Sequence, residues 1–129
     1  MFRTAFFAAI VCVFATSSAF AFDANARILD LSGHEIPLCS AKTPECEKPT
    51  TVRFVVVNAL MAQLPSERDL SADKKLERFD LALKLQSAEG DVKLDAEKTA
   101  LIKKMVGAVY NPLIVGRVFQ IIDPASVSK

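Results

Sequence analysis

Histidine is nearly missing from this chain: His34 is the only one. A lone His beside a turn glycine is more often a solvated turn residue than a ligand or base. Without a second His, the usual zinc sites are short of ligands. Glycine is scarce too, at four residues, and none sits in a Gly-rich phosphate loop. The three cysteines never fall in a C-x-x-C spacing, which leaves thioredoxin-type redox chemistry without support. There is no Ser–His–acid set and no Cys–His pair in a familiar motif, so the expectation is a non-enzymatic protein with no catalytic, cofactor or metal site. Long basic runs are also lacking, and aromatic residues do not alternate with basic ones as a stacking platform requires. Nucleic acid is therefore not the expected partner.

What is present begins with MFRTAFFAAIVCVFATSSAFA. One positive charge, Arg3, precedes an apolar run from Ala5 to Ala15, then small polar residues, then Ala19-Phe20-Ala21. That order is the n-region, h-region and A-x-A site of a secretory signal peptide, with cleavage expected after Ala21. The apolar run is short for a membrane span; an uncleaved anchor is the rival reading. Cys12 lacks the preceding small residues of a lipidation site and is expected to leave with the leader. Cleavage removes only Arg3 among the charged residues and takes the formal net charge from +1 to zero. A neutral mature chain has no electrostatic reason to seek nucleic acid or an anionic membrane.

Residues 22–49 read as a frayed lead-in to Arg27, a hairpin and a cysteine loop. Ile28-Leu29-Asp30-Leu31 and Glu35-Ile36-Pro37-Leu38 flank Ser32-Gly33, with Pro37 confining the second run to an edge. Cys39 and Cys46 flank SAKTPE, and in an exported chain such a pair reads as a disulfide. Closing so small a loop is worth roughly 2.5 kcal/mol in the chain-entropy picture.

Residues 50–123 read as helical, with 124–129 as a tail. One helix spans about Thr51 to Gln63, apolar on most sides and expected to pack centrally against the last helix. A second starts at the Ser71 cap and ends near Ala88. Its stripe of Leu76, Phe79 and Leu83, flanked by Ala72, Ala82 and Leu85, is expected to face the core, with Lys74, Lys75, Glu77, Arg78 and Asp80 outward. Asp95 caps a third helix, which stops near Tyr110 because the residue before a proline avoids the α region. Asn111 then caps a fourth helix with Pro112 at its first position. From Leu113 to Ile122 its only clearly polar side chains are Arg117 and Gln120. Such a helix must be covered on most sides, either as the centre of the bundle or by another chain. In the second case Leu113, Val115, Gly116, Val118, Phe119 and Ile122 form the interaction surface. Gly107 and Gly116 bracket the corner; either they admit a close backbone approach, or they are simply tolerated on exposed faces, a strong rival for Gly116 beside Arg117 and Gln120.

Three runs carry a resemblance: VNAL at Val57–Leu60, ERFDLALKL at Glu77–Leu85, and ALIKKMVGAVYNPLIVGRV at Ala100–Val118. Over about residues 28–123 the chain resembles small phage and prophage proteins of unassigned function. The resemblance implies no activity and assigns no site residue; the leader and the cysteine loop depart from it. The expected fold is mainly α, a small bundle of about four helices with a short N-terminal β-hairpin and a disulfide loop. The expected function is an exported interaction or inhibitor module with a protein partner, periplasmic or secreted and off the membrane once cleaved. The alternative is a phage-related structural or assembly accessory that forms a homo-oligomer through its last helix.

Overall fold

A computed structural model describes residues 20–127. The n- and h-regions of the expected leader, and Cys12 within them, lie outside the described residues. The elements run β1 (Phe20–Asp23), α1 (Pro44–Glu47), α2 (Val52–Met61), α3 (Ala72–Ser87), β2 (Asp91–Leu94), α4 (Ala96–Val109) and α5 (Pro112–Ile122). The fold is mainly helical, as its patterning suggested.

Capping explains where the helices start. The Thr51 hydroxyl accepts from Phe54 N at 3.3 Å and the Ser71 hydroxyl from Lys74 N at 3.3 Å. The Asp95 carboxylate accepts from Lys98 N at 2.8 Å, and the Asn111 side chain from Ile114 N at 3.1 Å. Each satisfies an N–H that the first turn leaves without a helical partner. The Tyr-Asn-Pro corner is thus a real break between two helices, with Pro112 opening α5.

The centre of the bundle is α2, not α5. Val52, Val55, Val56, Ala59 and Leu60 are buried, and α2 lies between α3 and α4 rather than against the last helix. Only one seam of α5, Ile114, Val118 and Ile122, is buried, and its neighbours are α4 and β1. The expectation of a central last helix fails for a geometric reason. An apolar band wider than its seam can be covered by strand and loop, without helices on every side.

The paired strands are not where the hairpin was expected. β1 pairs antiparallel with β2, Phe20↔Leu94 to Asp23↔Asp91, so the sheet joins segments far apart in sequence. The lead-in is no frayed tail either. Phe22 and Ala24 are buried, Ala24 N donates to Gly90 O at 3.1 Å, and the carbonyls of Ala26 and Ala24 accept from Val52 N and Arg53 N at 2.9 Å each. Those two N–H groups belong to the first turn of α2, so the segment finishes the cap of the central helix. Around Ser32-Gly33 the chain does reverse, with Gly33 at φ +85° and a single bridge Leu29↔Glu35. No regular ladder forms there, because Ile28, Ile36 and Thr50 bond one another in a ring: Ile28 N to Thr50 O, Thr50 N to Ile36 O, Ile36 N to Ile28 O. Prolines 37 and 49, bridged to each other and without N–H groups, interrupt the pairing, which resumes beyond them with Leu38 N donating to Lys48 O.

α3 is turned partway from expectation: Ala82 and Leu85, expected beside the stripe, are buried, but the stripe itself is not. Its buried line is Arg78, Leu81, Ala82 and Leu85, while Leu76, Phe79 and Leu83 face outward. Both sets have helical spacing, so periodicity alone permits either face. Arg78 joins the core because Glu67 meets it there: the pair has side-chain exposures of only 9% and 11%. A paired guanidinium can be buried where an unpaired one cannot.

Candidate interaction site

The segment Leu29–Ile36 is short, apolar at several positions and reverses at a glycine, which would leave it mobile unless held. It is held on three sides. Asp30 accepts through Oδ1 from Ser32 N at 2.8 Å and His34 N at 2.9 Å, and Asp30 N donates to His34 O at 2.8 Å. These contacts, led by the His34 amide, keep the Asp30 carboxyl below its ordinary value. Arg27 and Glu35 form an ion pair across the base. From below, Arg117 of α5 donates through Nε to Leu29 O at 3.0 Å and through Nη2 to Asp30 O at 2.6 Å. The cysteine loop stands beside it: Leu38 N donates to Lys48 O at 3.0 Å, and Cys39 and Cys46 stand at disulfide distance with Cα atoms 4.7 Å apart.

One side chain in this braced turn is used for nothing internal. Leu31 is 87% exposed, the highest value among the large apolar residues described. A fixed main chain presenting a free apolar side chain suits insertion into a partner's pocket, since little ordering entropy is then lost on binding. Sequence reading placed Leu31 inside a strand and left Arg117 as one of two polar residues on an apolar helix. Their connection spans the chain and had no local signal.

The residues of α5 proposed from sequence divide. Val118 and Ile122 are in the core and cannot meet a second chain in this arrangement. Leu113, Val115, Gly116 and Phe119 are half-buried; Val115 and Phe119 pack on the core, and Lys103, bonded to Asp123 Oδ2 at 2.9 Å, lies 5.0 Å from the centre of the Phe119 ring. A Cβ added at Gly107 or Gly116 meets nothing within 4 Å, so among the described residues neither glycine admits a neighbouring backbone. Close packing within the chain is not realised there, and Gly107, which is exposed, fits the alternative of a tolerated glycine.

Among the described residues, no three His, Cys, Asp or Glu side chains converge as a metal site. No described helix is long and apolar enough to cross a membrane. No family model, curated protein or solved structure matches the chain.

Proposed function

We propose that this chain is an exported, non-catalytic interaction module of the inhibitor kind, which docks Leu31 into an apolar pocket of a partner protein. The observation that carries this reading is the exposure of Leu31 on a turn whose main chain is tied to Asp30 and Arg117. A few anchors seated in pockets carry most of an interface's energy, and a rigid support lowers the ordering cost of seating one. The leader-like N-terminus and the Cys39–Cys46 pair support a periplasmic or secreted setting, where a disulfide persists. The phage likeness at Ala100–Val118 supports a phage-related origin. The alternative of assembly through the last helix has less support, because two of its six contact residues are internal.

The test places a photo-crosslinking amino acid at position 31 and, as a control, at the exposed Lys42. Tagged protein is fractionated from the native host. Support consists of protein in the envelope or medium beginning at Phe22, an adduct from position 31 alone, and loss of that partner in Leu31→Asp at unchanged thermal stability. Cytoplasmic protein with an intact N-terminus overturns export. Capture of the same partner by Leu31→Asp overturns the anchor.

A further inference from the structure

Leu76, Phe79 and Leu83 lie on the outer face of α3 at 56%, 44% and 51% exposure. Their spacing of three and then four is that of the a, d and a positions of a coiled-coil seam, and the stripe runs along about 10 Å of helix. On this assignment Lys75 immediately precedes the seam at a g position, and Asp80 follows Phe79 at an e position. Both are exposed, and neither takes part in an ion pair among the described residues, although Lys74, Glu77 and Arg78 around them do. In a parallel pair of helices each g residue faces the e residue five positions on in the partner. Lys75 of each copy then meets Asp80 of the other, twice by symmetry. In the antiparallel arrangement the e flanks meet, bringing Asp73 and Asp80 of one copy against the same acids of the other.

We propose that the outer face of α3 is a homotypic surface on which a second copy of this chain docks in parallel, with the Leu76–Phe79–Leu83 seam inside and paired Lys75–Asp80 contacts at its rim. The seam is brief, so the dimer is weak and forms as concentration rises. This surface is separate from the Leu31 turn, and the proposal does not depend on that reading.

Sedimentation equilibrium over a concentration series tests it on the full chain, with charge reversals that leave the core untouched. Lys75→Asp and Asp80→Lys should each weaken dimerisation about tenfold, since each replaces two attractions by two repulsions. The double reversal should recover the wild-type constant to within about threefold, and Leu31→Asp should leave it unchanged. Leu83→Asp should abolish the dimer while the monomer keeps its helical circular dichroism. An antiparallel dimer reverses one outcome: Asp80→Lys would then tighten association, which overturns the proposal. So does a chain that stays monomeric at millimolar concentration, or a double reversal that fails to recover.

Discussion

Helices α3 and α5 invert what their compositions suggest. α5 is apolar on most of its circumference, yet it lies at the edge of the bundle and buries one seam. α3 carries seven charged residues among sixteen, yet it packs on the central helix, buries an arginine and leaves a leucine–phenylalanine stripe outside. Composition measures how much of a helix can be covered. It does not choose the face when two apolar lines compete, and in α3 the choice falls to the Glu67–Arg78 pair. The reason is energetic: an unpaired buried guanidinium is prohibitive, whereas an exposed leucine is common.

The sharpest way to break this comparison is to truncate two leucines two positions apart. Leu85 is fully buried and Leu83 is half exposed. Leu85→Ala should cost about 2–5 kcal/mol in urea unfolding of the monomer, by lost transfer energy and the cavity left behind. Leu83→Ala should stay within about 0.5 kcal/mol. The reverse order would restore the inward Leu76–Phe79–Leu83 face.

On α5 the corresponding probe is its one buried-facing cation. Arg117→Met keeps much of the stem's packing and removes both bonds to the turn carbonyls. Hydrogen bonds from a charged donor are worth about 1.5–3 kcal/mol, so a loss of that order is expected. Amide exchange should quicken at His34 and Ile36, which donate to Asp30 Oδ1 and Ile28 O, while the α2 amides stay protected relative to global unfolding. Unchanged exchange at both sites would mean that Asp30 and the Arg27–Glu35 pair hold the turn without Arg117.

Acid separates the two helices by their ion pairs. Glu67 is held below its ordinary 4.5, chiefly by the hydrogen bond from Arg78, and Asp123 below its ordinary 3.8, chiefly by that from Lys103. In each case the folded state holds the proton less tightly than the unfolded chain. The stabilisation is therefore complete above the ordinary value and is lost as pH falls through the lowered one. Melting temperature should drop between about pH 5 and pH 2. Glu67→Gln should flatten that drop more than Asp123→Asn, because the Glu67–Arg78 pair is the more enclosed, at 11% and 9% exposure against 24% and 26% for Asp123–Lys103. Equal flattening would deny the α3 pair its special place.

Local chemistry was legible in the sequence. Ser71, Asp95 and Asn111 cap the helices they were expected to cap, Thr51 takes the cap that Thr50 or Thr51 could supply, and the Cys39–Cys46 spacing matches a pair at disulfide distance. Each of these depends on residues at most seven apart. What was not legible depends on distant partners. The β1–β2 pairing, the capping of α2 by the Ala24–Ala26 backbone and the Arg117 brace each join segments from well-separated parts of the chain. Two backbone carbonyls leave no side-chain pattern to read. Arg117 looked like a polar interruption because its acceptors are main-chain atoms of another segment. The candidate site was missed for the same reason: Leu31 looks like a strand residue until the ring of Ile28, Ile36 and Thr50 bonds is seen.

The smallest expected effect concerns the two glycines beside the α4–α5 corner. Neither has a positive φ, and a Cβ at either position meets nothing within 4 Å. Within this chain, alanine therefore brings no clash, and it narrows the unfolded ensemble that glycine leaves broad. Gly107→Ala and Gly116→Ala should each raise stability by about 0.4–1 kcal/mol, and the two should add, being on different helices without a shared contact. Differential scanning calorimetry of the single and double variants measures this directly. Gly107 is exposed and serves as the internal control for Gly116, which is half-buried on the helix once expected to meet another chain. If Gly116→Ala alone lowers the melting temperature, and does so only at concentrations where copies associate, a second chain lies over α5. That result would move the self-association surface from α3 to α5, and Asp80→Lys would then leave the dimer intact.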